Sequence, residues 1–498
     1  MNKVVERSLH AGRMFINGSS IAGAGQFVPV YDPSIGEQVD EIRGANLSQF
    51  DSAILAARGA FDSGPWPRLN PEARVDSLLR FAAAVSSRRT RLIEAAILET
   101  GVPRRMVEAP GGGFALAEAV MSQLPRLYLE APAWEHNELG VDLSLRVPAK
   151  VTFRRYEPVG VVSAIAPYNF PLVISLWKII PALVTGCTVV LRTSPITPVE
   201  GLLLAEAAAE AELPAGVLNV VVEGGSEGSM LMATHRHVNL VSFTGSSAVG
   251  RLIATQAAPT LKRLILELGG KSVQLHMDDS FTNGPQHAVD AAMTVFRMHA
   301  GQACTAQTRM LVPQSRKAAV LEALAAAPHL EMGAATLPST VVGPLISEKH
   351  RARVHALVNE GVAHGARIVI GGQNASSFKR GWYYEPTILD IEDNANPVAQ
   401  QEVFGPVLTV QGYRDLDEAI TIANDTEYGL GGAVYTADPT AGIRVAEQIR
   451  TGTVQVNVGC VHPLTPLAGH KQSGLGCERG LAGIRAFQLI KHISAGGL

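Results

Sequence analysis

The sequence predicts an α/β protein of two lobes, each built on a mostly parallel sheet, with a small extended ribbon outside them. Three patterns carry that expectation. From Val161 to Glu267, short β-branched runs alternate with longer runs rich in alanine and leucine. After Glu267 a second alternation begins and continues to a strand signal at Gly452–Asn457. From Pro132 through Val141–Val147 to Arg155, apolar and polar residues alternate with the period of an extended chain.

Each element has its own signal. In the amino-terminal part, Leu47–Phe61 and Pro71–Ser86 have the apolar spacing of amphipathic helices. In the first lobe, Val161–Ile165, Cys187–Arg192, Leu218–Val222, Asn239–Phe243 and Leu264–Glu267 read as strands. Leu172–Val184, Val199–Ala211 and Ala248–Ala257 read as the crossover helices between them. Such a sheet binds ligands in the crevice beyond the carboxyl ends of its strands. In the second lobe, Ser272–Leu275 and Thr308–Val312 read as strands and Gln286–His299 as a helix.

Composition narrows the function. A chain of 498 residues with 47% hydrophobic and 17% charged residues suits large buried cores. A net charge of -3 gives no electrostatic case for nucleic acid. No secretory leader or bilayer-spanning apolar stretch stands out, so a cytoplasmic protein with no membrane partner is expected. Cys187, Cys304, Cys460 and Cys477 are scattered, without zinc-like spacing, and His235 and His237 alone do not make a metal site. No metal is expected.

Two stretches carry chemistry. Cys304 lies in Gly301-Gln302-Ala303-Cys304-Thr305-Ala306, among small residues that let a thiol be approached. Glu267 opens Glu267-Leu268-Gly269-Gly270-Lys271-Ser272, where two glycines allow close approach of a base to a thioester. Together they point to covalent catalysis.

These stretches resemble the signatures of the aldehyde dehydrogenase superfamily. The resemblance runs from Phe15-Ile16-Asn17-Gly18 to Ser473-Gly474-Leu475-Gly476. Between them come Glu157-Pro158-Val159-Gly160-Val161, Pro167-Tyr168-Asn169-Phe170-Pro171, Phe243-Thr244-Gly245-Ser246 and Glu402-Val403-Phe404-Gly405-Pro406. It implies a Rossmann-like cofactor-binding domain at 1–131 and 156–266, a catalytic domain at 267–482, and an oligomerisation arm at 132–155 and 483–498. In that arm Phe487–Ile493 would pair with the ribbon, giving a homodimer or homotetramer.

The implied cofactor is NAD+ or NADP+, with NAD+ slightly favoured. Gly245 permits a turn, and Ser246 at a helix start suits phosphate. Ile165, Ala166, Pro167, Tyr168, Phe243, Thr244, Val249, Leu268 and Gly269 complete the implied cleft. Glu402 would hold the nicotinamide ribose and Phe404 would pack near the ring. At the adenosine end, Arg192, Ser194 and Pro195 stand where the family commonly has Lys-Pro-Ala/Ser-Glu. The lost carboxylate removes both a ribose acceptor and a repulsion against a 2′-phosphate, and Arg192 could favour that phosphate.

The implied chemistry has Cys304 attack an aldehyde, with the Asn169 amide and the Cys304 N–H stabilising the oxyanion. Glu267 would then activate water against the thioester. Lys178 and Glu478 match positions near a proton exit route, or form an ordinary ion pair. Several positions depart from the family: Tyr168 for tryptophan, His299 for asparagine, Leu467-Ala468-Gly469 for Phe-Gly-Gly, and Cys477 for arginine. None removes a central catalytic group.

The substrate pocket is expected at Leu172, Val173, Trp177, Ala303, Thr305 and Leu467. The Leu172, Val173, Leu176 and Trp177 stripe equally fits packed core. No Arg or Lys lies between Val458 and Leu467, so a hydrophobic aliphatic or aromatic aldehyde is expected. Competing readings are CoA-acylating oxidation and a non-catalytic cofactor-binding scaffold.

Overall fold

The computed structural model describes residues 9–136, 151–458, 462 and 464–495. Local signals set most element ends. Asn70 accepts from Ala73 N at 2.8 Å and Pro71 opens the helix Pro71–Ser86. Asn46 caps Leu47–Asp62 in a capping box with Gln49. The helix Pro171–Val184 also begins on a proline, and all its residues except Trp177 are buried.

The first lobe is an eight-stranded sheet. Its five parallel strands lie in the order Arg263–Glu267, Leu240–Thr244, Val161–Ile165, Thr188–Arg192, Leu218–Val221. Chain order reverses between Val161–Ile165 and Leu240–Thr244, which register as neighbours from Val162↔Leu240 to Ile165↔Phe243. That reversal opens a crevice at the carboxyl ends of these two strands. Two antiparallel additions lacked a clear local signal. The hairpin of Arg13–Ile16 and Ser19–Ala22 joins one side, and Gly474–Leu475 pairs with Leu266 and Glu267 on the other.

The second lobe has seven strands, in the order Arg367–Ile370, Thr387–Ile391, Val407–Tyr413, Arg309–Pro313, Val273–His276, Gly431–Tyr435, Thr453–Val456. All its pairings are parallel except the first. Residues 268–272 connect the carboxyl end of Arg263–Glu267 directly to the amino end of Val273–His276. A cleft therefore lies where the two sheets meet end to end.

One helix end differs from the sequence expectation. The helix expected over Gln286–His299 ends at Arg297, because His299, Ala300 and Gly301 have φ of 50°, 51° and 75°. Within 464–475 the chain also touches the first lobe: Gly474–Leu475 pairs with its sheet and Leu464 packs against its core.

The arm is a three-stranded antiparallel sheet. Val151–Pro158 lies between Trp134–His136 and Gln488–Ala495, and pairs with the latter over eight positions. The expected Val141–Val147 segment lies outside the described residues. Among the described residues, no helix is long and apolar enough to cross a membrane.

Candidate active site

The left-handed turn at residues 299–301 delivers Cys304 to the cleft. Histidine tolerates φ > 0 better than most residues, and Gly301 is required there: an added Cβ would lie 2.0 Å from Gly405 O. Gln302 locks the turn. Its Nε2 donates to His299 O at 3.1 Å, and its Oε1 accepts from Ile346 N at 2.9 Å. Asn169, buried before the helix Pro171–Val184, donates through Nδ2 to Gln302 O at 3.0 Å. The second amide proton of Asn169 is left for another acceptor.

The Cys304 thiol is partly accessible, yet burial of its surroundings pushes its pKa up to about 12. The charges of Glu402 and Glu267 add to this, while Arg479 opposes it. Gly270 packs against the same residue, and a Cβ there would sit 2.4 Å from Cys304 O. Gly270 N donates to Glu402 Oε1 at 3.0 Å, and Ser473 Oγ donates to Gly269 O at 2.7 Å. The glycine pair thus lets thiol, carboxylate and backbone crowd together.

Glu267 ends its strand with both carboxylate oxygens buried and without a hydrogen-bond partner. Burial first, then the charge of Glu478, hold its pKa well above the usual carboxylate range; Lys178 and Arg479 oppose the shift. Beneath it lies a buried ion pair. Lys178 Nζ donates to Glu478 Oε1 at 2.5 Å, Thr244 Oγ1 at 2.8 Å and Ser242 Oγ at 3.1 Å. Glu402 is also raised, to about 7, chiefly by burial.

The whole chain answers to one family. Residues 21–493 match the model of the aldehyde dehydrogenase family. This chain belongs to it. It is 37% identical to geranial dehydrogenase of Castellaniella defragrans, over 96% of this chain and 98% of that protein. It is 34% identical to phenylacetaldehyde dehydrogenase of Pseudomonas fluorescens, over 97% and 95%. An aldehyde dehydrogenase C mutant from Pseudomonas syringae, solved with NAD+ and octanal, superposes with a TM-score of 0.90 at 34% identity, covering 98% of this chain and 97% of that one. Betaine aldehyde dehydrogenase of Staphylococcus aureus, solved with NAD+ and a BME-modified cysteine, gives 0.92 at 33% identity, covering 98% and 96%. The protein is therefore an aldehyde dehydrogenase, which oxidises aldehydes to acids with a nicotinamide cofactor.

The cleft of this aldehyde dehydrogenase fits such a cofactor. Ile165, Ala166, Phe243 and Thr244 stand at the strand ends flanking the crevice, with Pro167, Tyr168 and Gly245 following them. Val249 and Leu252 are 43% and 50% exposed on the next helix, apolar surface suited to covering a flat ring. Leu268 packs under that helix at Gly250. Ser246 Oγ caps the helix, accepting from Val249 N at 3.4 Å, which leaves its O–H to donate elsewhere. Phe404, at φ 58°, meets Tyr168 edge-on at 6.0 Å.

Arg192, read either as a fork for a 2′-phosphate or as a simple basic replacement, is engaged within the protein. It is buried, with Nε 2.8 Å from Glu223 Oε1 and Nη2 3.2 Å from Gly225 O. Glu223 also accepts from Gly228 N at 2.8 Å and from the Ser229 hydroxyl. Ser194 is buried beside Arg192, and Pro195 carries no carboxylate to the ribose corner.

Of the expected pocket residues, Leu172 and Val173 belong to the first core and also wall an apolar cavity shared with Asn169, Phe170 and Phe114. Trp177 is partly exposed, Ala303 buried and Thr305 intermediate. Leu467 is buried and exchanges backbone hydrogen bonds of 2.8 Å with Glu478. Two residues escaped sequence reasoning. Glu223 gives no local sign of its partner 31 positions earlier. Arg479, directly after Glu478, places a guanidinium over the Trp177 ring at 4.8 Å. Among the described residues, no group of three or more His, Cys, Asp or Glu could hold a metal ion.

Proposed function

We propose that the enzyme oxidises an apolar aliphatic or aromatic aldehyde hydrolytically, with Cys304 as nucleophile, Glu267 as base and NAD+ as the preferred cofactor. The unpartnered, buried carboxylate of Glu267 beside the Cys304 loop carries this reading. A buried acceptor with no protein donor is suited to taking a proton from water. The Cys304 sulfur adds to the aldehyde carbon, and the resulting oxyanion lies between the free Asn169 amide proton and the Cys304 N–H. When bound, nicotinamide supplies the hydride acceptor for that carbon, and Ile165, Phe243, Glu402 and Phe404 would hold it there. A thioester remains on Cys304. Glu267 deprotonates the water that cleaves it, and the Lys178–Glu478 pair beneath would return Glu267's proton towards solvent.

Both raised pKa values set a sign. Thiol and carboxyl must each lose a proton, so turnover should rise with pH through the approach to Glu267's elevated pKa. The apolar substrate preference rests on the cavity beside Asn169 and on relatives named for geranial and phenylacetaldehyde. NAD+ preference rests on Arg192 being committed to Glu223. We assign cofactor binding to residues 1–131 and 156–266, chemistry to 267–482, and homodimer or homotetramer assembly to the arm at 132–155 and 483–498. A working thiol suits the reducing cytoplasm, where we place the enzyme.

The test is pre-steady-state turnover with a simple alkanal. Cys304→Ala should form no reduced cofactor. Glu267→Gln should give about one reduced cofactor per subunit and then stall as the thioester, a loss of at least roughly 100-fold in steady-state rate. Steady turnover of Glu267→Gln without CoA would sink the hydrolytic role. Stimulation of the wild type by CoA would favour acyl transfer instead.

A further inference from the structure

Arg479 is 7% exposed, and its Nε is buried with no hydrogen-bond partner. Among the described residues it forms no ion pair: Glu478, its neighbour, is held by Lys178 and Ser242. Its guanidinium lies over the face of Trp177, at 4.8 Å from the ring centroid. The indole Nε1 of Trp177 is likewise buried and unpartnered. Two donor groups thus lie side by side with no hydrogen-bond acceptor among the described residues, although the charges of Cys304, Glu267 and Glu478 act on Arg479 from a distance. Cation–π attraction alone compensates poorly for stripping water from a guanidinium.

The place of these donors is fixed by the chemistry around them. Trp177 precedes Lys178 on the helix that starts just after Asn169. Glu478 is bridged to Leu467, another expected pocket residue. The charge of Arg479 is felt by both Cys304 and Glu267. Its backbone, at φ 65°, is held in a region that side chains other than glycine avoid. The chain therefore keeps an arginine where both backbone and solvation disfavour it.

We propose that the missing anion arrives with the substrate: the aldehyde carries a carboxylate at the end remote from its carbonyl, and Arg479 binds it with the Trp177 N–H as a second donor. A planar guanidinium matches a carboxylate in a two-point contact. This deepens the proposed oxidation and rests on it, replacing a wholly apolar aldehyde by one with an apolar body and an acidic end. The sequence stretch between Val458 and Leu467 contains no such clamp because the cation comes from beyond it.

The experiment compares kcat/KM for ω-oxo carboxylates of increasing length with their methyl esters, using NAD+ and the full-length enzyme. The wild type should favour the acid over its ester by roughly tenfold or more at one chain length at least. Arg479→Met and Arg479→Gly should abolish that ratio, mainly through KM, and Arg479→Lys should restore part of it. Glycine relieves the positive-φ backbone, so it separates the lost charge from a folding defect. Equal or better turnover of esters by the wild type at every length would overturn the proposal. So would an unchanged acid-to-ester ratio in both charge-removing variants. If acids, esters and simple alkanals all fail to reduce cofactor, the oxidation reading falls, and this proposal with it.

Discussion

Single side chains determine whether this site works and at what cost. Glu267 holds a raised pKa in the folded protein, so folding binds its proton more tightly than the unfolded chain does. The associated stability is complete below the unfolded carboxylate pKa and is lost as pH climbs. Glu267→Gln should therefore melt higher than the wild type at about pH 8 and converge with it at about pH 5; melting curves at both values check this. The same carboxylate would make the enzyme active and make it less stable. At the adenosine end, Glu223→Gln should loosen Arg192 and remove a negative charge from the ribose corner. The kcat/KM ratio of NADP+ to NAD+ should then rise by roughly tenfold. An unchanged ratio would mean the buried pair has no part in cofactor choice. Neither Glu223 nor Arg479 was legible in the sequence, because their partners lie far along the chain and leave no spacing to read. Cys304 and Glu267 drew attention through their small neighbours, and Asn169 through the family stretch it lies in; the catalytic roles of all three belong to the proposal above.

At the scale of elements, legibility followed local chemistry. Pro71–Ser86 was read to the residue, since a proline opens it and Asn70 caps it. The five parallel strands of the first sheet were placed to within a residue, because buried parallel strands are continuous apolar runs. Gly474–Leu475 was not, as two residues have no periodicity and pair only because the lobes bring them to an edge. The turn at 299–301 shows why a helix reading overran: His299 and Ala300 are compatible with helix by propensity, while tertiary packing forces them left-handed. Gly301→Ala should be severe. Its Cβ meets Gly405 O at 2.0 Å with φ at 75°, and a loss of more than about 3 kcal/mol is expected. Thermal unfolding and alkylation of Cys304 measure it; a variant with native melting and native thiol reactivity would refute the placement of that turn.

The molecule as a whole joins two sheets end to end and adds an arm. In the arm, among the described residues, Gln488–Ala495 pairs on one side, with Val151–Pro158, and Ile490 is 64% exposed on it. An exposed apolar edge strand invites pairing with another chain, and a second copy related by two-fold symmetry would cover it. Ile490→Lys should shift sedimentation towards smaller species while leaving monomer folding intact by circular dichroism. An unchanged sedimentation profile would move the assembly interface elsewhere.

The buried pair of Lys178 and Glu478 joins residues 300 positions apart. That distance has a meaning in time. At about 5–20 residues per second, synthesis leaves Lys178 waiting roughly 15–60 s for its partner. For the later part of that interval, once it has been made, the strand Arg263–Glu267 also lacks the Gly474–Leu475 neighbour that covers its edge. The first lobe therefore cannot finish folding when its own last strand emerges from the ribosome. The nascent chain passes through a period in which a sheet edge and an unneutralised lysine are both open to other molecules. Activity should appear abruptly near the end of synthesis, and a cell that makes this protein quickly has reason to shield it until then.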